Sequence, residues 1–212
     1  MPKLSLTQQN SRRQHILAAA ETCFVRTGFH ATTIQAICRE ARVSAGALYL
    51  YFNSKEALIE GIAEGERERV LADFAQMRDA PDFLSGLDHC INNCVMQQSR
   101  AKTALFLEVV AEAARNPAVM RTLQRVDAAI RQAMRDLFVR AQSAGRIAGH
   151  VGVDDLVDVM ATTIDGLLLR HSIDPAFDPR RASAVMMQTI KKLALGDVAP
   201  FPETLVRLEP SI

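Results

Sequence analysis

The 212-residue sequence has no tryptophan, and all aromatics together make up only 5% of it. Strands draw on aromatic and β-branched residues, so this scarcity, with Ala and Leu recurring throughout, favours helix over sheet. Long apolar runs are also missing. None approaches the roughly 18 residues that cross a bilayer, and the opening stretch MPKLSLTQQNSRRQ lacks the apolar core of a secretory signal. The expected location is cytoplasmic, with no membrane partner. Four cysteines, Cys23, Cys38, Cys90 and Cys94, are too few to staple a chain this long, and each sits in an apolar helical pattern where a buried thiol is usual. No P-loop, GxGxxG, nucleophile elbow or HExxH occurs, so neither enzymatic activity nor a cofactor is expected.

Net charge is almost absent at +1, but it is unevenly spread. Residues 1–55 carry seven Lys/Arg against two acids, leaving 18 basic and 22 acidic side chains for residues 56–212. A basic quarter on a mildly acidic body fits a polyanion-binding head attached to a body with another task. Apolar residues make up 49% of the chain, enough to bury a sizeable core.

Helical periodicity organises the head. Ser11 and Gln14 form a capping-box pattern, followed by inward Ile16, Leu17, Ala20, Cys23 and Phe24 up to a stop at Gly28. Thr32 with Gln35 opens a short helix with Ile34, Ile37 and Cys38 inward, ending near Ala41. Ser44 caps another short helix to about Leu50, and Asn53 with Glu56 opens a longer one towards Met77. Two short helices across a tight turn, over roughly residues 33–51, make a helix-turn-helix whose inner face is Ile34, Ile37, Val43, Ala47 and Leu48. An ordinary helical hairpin fits that spacing equally well.

The wider string is more specific. Gly28-Phe29, Ala31-Thr-Thr-Ile34, Ile37, Glu40-Ala41, Val43-Ser44, Gly46, Leu48-Tyr49, Tyr51-Phe52 and Ser54-Lys-Glu-Ala-Leu58 closely resemble the DNA-binding head of the tetracycline-repressor (TetR) family, over residues 12–62. From Ala104 through Asn116-Pro117-Ala-Val119 to Leu195 the body is loosely similar to the choline-responsive, BetI-like branch. The resemblance implies an all-α fold of about nine helices: a three-helix helix-turn-helix domain (1–55), a helical-bundle effector and dimerisation domain (56–197) and an extended tail (198–212). It also implies a homodimeric repressor that binds a palindromic operator on double-stranded DNA and is released by a small-molecule effector.

For particular residues it implies the following. Thr33 and Ser44, at helix N-termini, offer hydroxyl and backbone N–H to phosphate. Tyr49, Tyr51 and Lys55 reach the DNA backbone. Gln35, Ser44, Ala45, Gly46, Ala47 and Leu50 face the bases. The chain departs from common family patterns at Ala45 and Leu50, which stand where polar readers are frequent, so apolar contacts and DNA shape carry more of the specificity. Arg42 stands where the family usually has the turn glycine, which implies a strained positive φ.

The body reads as helices beginning near Pro81, Lys102, Pro117, Asp154 and Pro179, with a glycine-rich loop over 145–153. Broad apolar faces on the last two helices imply a dimer interface of Leu156, Val159, Ile164, Leu167 and Leu168 with Val185, Met186, Thr189, Ile190 and Leu193. An effector cavity is expected from Phe74, Met77, Phe83, Met96, Phe106, Val110, Met120, Leu123, Met134, Phe138 and Met160, with Asp165 as a polar anchor. An ordinary core would use the same Met and Phe side chains. His89, Cys90 and Cys94 suggest a metal or thiol sensor, but His89 points about 100° away from Cys90 around the helix, and zinc needs three or four convergent ligands. No metal site is expected. An effector-independent DNA-binding factor and a thiol-responsive regulator are the alternative readings. Helix four, the one continuous element joining head and body, is expected to carry any signal between them.

Overall fold

The structure is a computed structural model and describes residues 5–78, 83–96 and 99–196. Within them every regular element is a helix: α1 (Leu6–Thr27), α2 (Ile34–Glu40), α3 (Ala45–Tyr49), α4 (Lys55–Arg78), α5 (Phe83–Met96), α6 (Arg100–Ala113), α7 (Pro117–Ser143), α8 (Val153–Ile173) and α9 (Pro179–Leu195). Pro81 and the tail 198–212 lie outside the described residues.

Caps explain most boundaries. The Ser44 hydroxyl accepts from Ala47 N–H, and Asn116 and Asp178 cap α7 and α9, each followed by a proline at the first helical position. Gly28 and Gly196 end their helices with φ of 83° and 76°. Three expected caps move. α1 begins at Leu6 rather than Ser11, because Ser5 and Gln8 form a reciprocal capping box one and a half turns earlier. Thr33, not Thr32, caps α2. Thr32 is buried, with its hydroxyl donating to Gly28 O at 2.6 Å. Ser54 rather than Asn53 caps α4, accepting from Ala57 N–H at 3.1 Å. α6 starts at Arg100 instead of Lys102, with Ser99 as its cap.

Two apolar clusters hold the molecule. The body cluster joins α4, α5, α7, α8 and α9 around Phe74, Leu87, Ile91, Phe138, Val157, Met160 and Ile190. The head cluster joins α1 to α4 around Ile16, Phe24, Phe29, Ile37, Leu48 and Leu58, but also takes in Leu105, Val109 and Ala113 of α6 and Val119 of α7. Packing therefore does not break at residue 55, where the sequence suggests a domain boundary. At the far end of α6, the Arg100 guanidinium donates to the carbonyls of His171, Asp174 and Pro175, fixing that helix to the end of α8 and the turn that follows.

Candidate nucleic-acid interface

The short helices α2 and α3 are held from behind. Ile37 and Leu48 are fully buried, with Ile34, Val43 and Ala47 half-buried beside them. The His15 ring, through Nε2, bonds Ala41 O at 2.9 Å and ties the end of α2 to α1. The turn between them includes Arg42 at φ 52°, the positive value implied by its place in the motif. With its inner face so fixed, α3 presents its other side to solvent. Leu50 is 83% and Tyr49 53% exposed. Ser44, Ala45 and Gly46 are exposed, and a Cβ on Gly46 would meet no atom within 4 Å. Gln35 is exposed on α2.

Thr33 and Ser44 each accept one backbone N–H, from Ala36 at 3.1 Å and Ala47 at 3.2 Å. Each hydroxyl proton and the first N–H groups of each helix stay available to an incoming oxygen. Tyr51 differs from Tyr49: it is half-buried, packs against the head cluster and lines a cleft of about 400 Å³ with Arg13, Phe52, Gly61 and Arg125. A second cleft of about 310 Å³ is lined by Arg26, Ala36, Arg39, Glu40 and Arg42, with Arg26 and Glu40 paired at 3.2 Å.

Lys55 is placed differently from a freely projecting charge. Its ammonium does not project freely from α4. It donates to the carbonyls of Phe29 (2.8 Å), His30 (3.1 Å) and Thr32 (3.1 Å) and lies 4.8 Å from the centre of the Phe29 ring. Three carbonyls can engage all three N–H groups, so Lys55 pins the α1–α2 loop. Two α6 carboxylates hold the same loop. Glu108 Oε2 accepts Phe29 N–H at 2.8 Å, and Glu112 Oε2 is 3.2 Å from His30 Nε2. Sequence reading missed both, because nothing in a local pattern links residues 79 positions apart.

The expected effector cavity is not formed by its expected lining. Phe74, Met77, Phe83, Met134, Phe138 and Met160 pack on one another in the body cluster, and Leu123 packs on the head cluster. Phe106, Val110 and Met120 face solvent, and the Met96 side chain lies outside the described residues. Asp165 is exposed on α8. Its carboxyl titrates above the ordinary range because the helix surface partly desolvates it and Asp127 adds to the effect, against Arg131.

The expected dimer face also divides. Leu156, Leu167, Met186 and Ile190 are buried in the chain's own core, and Ile164 and Leu193 pack against it. Leu168 is half-buried, while Val159, Val185 and Thr189 remain exposed. Beside these, the structure exposes Leu169, Ile173 (59%) and Leu195, which lie off the apolar stripe read from the sequence. On α5, Cys90 is buried and Cys94 half-buried. Hydrogen bonding to Cys94 and burial both push the Cys90 thiol up. Among the described residues no three His, Cys, Asp or Glu side chains converge as metal ligands, and no helix is long and apolar enough to cross a membrane.

Comparison with known proteins places this geometry. Residues 16–62 match "Bacterial regulatory proteins, tetR family", and residues 87–195 match "BetI-type transcriptional repressor, C-terminal". The HTH-type transcriptional regulator UidR of Escherichia coli is 34% identical over 147 residues, spanning 68% of this chain and 74% of UidR. The HTH-type transcriptional repressor Rv1474c of Mycobacterium tuberculosis is 28% identical over 195 residues, 88% of this chain and 95% of that protein. Among solved structures, Salmonella enterica GusR superposes with a TM-score of 0.75 at 29% identity, over 89% of this chain and 98% of its own.

Proposed function

The chain belongs to the tetracycline-repressor family of bacterial transcription regulators, and on that premise we propose that it works as a homodimer: a repressor that binds a palindromic operator and lets go when a small molecule enters the body. One observation carries the reading. A five-residue helix, braced from behind by a closed apolar core, turns its outer face to solvent, with Tyr49 at its end and Leu50 just beyond it exposed as well. A short helix standing clear of its core, with small side chains at its start, fits the major groove, which admits a helix of this size.

The proposed contacts follow. Thr33, Ser44 and Tyr49 hold phosphates through hydroxyl and backbone N–H donors. Gln35 addresses adenine, and Ala45, Gly46, Ala47 and Leu50 lie against thymine methyls and the groove floor. Tyr51 supports the end of α3 from the head core. The exposed apolar residues Val159, Leu169 and Ile173 of α8, with Val185 and Leu195 of α9, support self-association through that hairpin. Effector entry opens the packed body cluster and shifts α4, and the separation of the two α3 helices changes with it. The effector shifts this equilibrium only by its differential affinity for the two arrangements.

Selection from a random DNA pool with the purified protein tests the proposal. The expected product is a two-fold symmetric site with half-sites one helical turn or more apart. Enrichment of an unpaired half-site, or no enrichment, would overturn it.

A further inference from the structure

The α1–α2 loop, Gly28 to Thr32, is held by groups of opposite charge from two other helices. Lys55 of α4 takes three of its carbonyls. Glu108 and Glu112, one helical turn apart on α6, hold the N–H of Phe29 and the ring of His30. The grip is close: a Cβ built on Gly28 would lie 2.9 Å from Glu108 Oε1. Glu112 is itself held, its other oxygen accepting from Asn116 Nδ2 at 3.1 Å while Asn116 Oδ1 caps α7. The loop runs directly into Thr33, the N-cap of α2, so whatever sets the loop sets the start of the helix-turn-helix.

We propose that Glu108 and Glu112 are positioning residues for DNA recognition, a two-carboxylate clasp by which the body sets the loop leading into α2. The inference rests on the proposed operator-binding function and adds a route that bypasses α4. α6 is suited to it as a strut. Arg100 in its first turn is fixed to three carbonyls at the end of α8 and in the turn after it. Twelve residues on, Glu112 reaches the head, a span of about 18 Å at 1.5 Å per residue. The bond from Phe29 N–H is 2.8 Å long, so a shift of α6 away from the loop by about 1 Å stretches it past hydrogen-bonding range unless the loop or the Glu108 side chain follows. Displacement of α6 is thus felt at the loop. Rearrangement at the α8–α9 hairpin thereby reaches α2 through a helix that never touches DNA.

The test uses the full-length protein and the operator it selects, together with copies whose half-sites are moved apart by one and two base pairs. Glu108→Gln keeps an oxygen for Phe29 N–H and is expected to bind within about twofold of wild type. Glu108→Leu keeps the bulk without the acceptor. It is expected to bind the native spacing about tenfold more weakly, as loss of a charge-assisted hydrogen bond implies, and to lose part of the discrimination between spacings. Glu112→Leu leaves the Phe29 bond in place and should show the same flattening to a smaller degree, which keeps the test valid if Glu108→Leu fails to fold. Wild-type affinity and spacing preference in both leucine variants would overturn the clasp. So would an equal loss at every spacing, the signature of a merely loosened head. A wild-type protein that enriches no palindrome fails one step earlier, on the function itself, and takes the clasp with it.

Discussion

Replacing Lys55 with Met separates two roles that one lysine could play at the front of α4. Met keeps most of the aliphatic stem and removes the ammonium. The structure gives that ammonium three carbonyl partners at 2.8, 3.1 and 3.1 Å and a place near the Phe29 ring. Hydrogen bonds from a charged donor contribute about 1.5–3 kcal/mol each when well buried. Here they are part-buried or exposed, so water replaces some of what is lost, and freeing the side chain returns up to about 2 kcal/mol of rotamer entropy. The expected net loss is about 2 kcal/mol, a fall of about 4–8 °C in Tm for a chain of this size. Thermal unfolding followed by circular dichroism reads this directly. Affinity for the operator should fall as the loop loosens, while the slope of log K against log salt stays unchanged. A phosphate contact would behave oppositely: unchanged Tm, and a slope reduced by about 0.9 for each lost contact. That second pattern would refute the assignment of Lys55 as a pin.

Three further outcomes follow from the same geometry. Arg42→Gly relieves a φ of 52° and should stabilise the head by about 1 kcal/mol; an unchanged or lower Tm would show that the Arg42 side chain offsets its backbone strain. Glu56 has its carboxyl held below the ordinary range by a hydrogen bond to its own backbone N–H and by Ser54, against partial burial. A depressed carboxylate stabilises the fold above its unfolded pKa and loses that contribution as pH falls through the folded value. Glu56→Gln should therefore lower Tm near neutrality, with the difference closing below roughly pH 4; a gap that persists in acid would place its origin outside charge. Leu169→Glu and Val185→Asp put charge on the exposed faces of α8 and α9 and should yield monomers in sedimentation velocity with a folded helical spectrum; a dimer that survives both would move the interface elsewhere.

Much of this architecture was readable because its signals are local. Ser44, Asn116-Pro117 and Asp178-Pro179 mark their helix starts within two or three residues, and the unusual Arg42 backbone followed from its place in the motif. Where two equivalent local signals competed, reading failed. Ser5–Gln8 and Ser11–Gln14 are the same capping pattern six residues apart, and the helix extends to the earlier one. Apolar periodicity told how wide the α8 and α9 faces are but not which part meets the chain's own core. Leu156, Leu167, Met186 and Ile190 turn inward, whereas the exposed Leu169, Ile173 and Leu195 lie off the apolar stripe. The Phe and Met side chains of the expected cavity pattern identically as core, and they pack as core. The α6 clasp has no local signature at all.

The make-up of α3 changes what the rest of the molecule has to supply. Its five residues contain no charged side chain, so in the proposed complex base readout falls to Gln35, hydroxyls and apolar contact, while the basic residues of the head supply attraction that does not depend on sequence. A single half-site is then poorly distinguished from other DNA. Two heads binding together multiply the affinity of one, by roughly 10²–10⁴ where geometry allows both to engage, and the gain vanishes where it does not. A protein with strong cationic readers tolerates some misplacement because each head binds on its own. This one depends on placement, and placement is fixed from behind: by the apolar contacts of α6 within the head cluster, by the Lys55 pin and by the Glu108–Glu112 clasp. A small displacement of α6 should then suffice for release, because it acts on the term from which most of the binding derives.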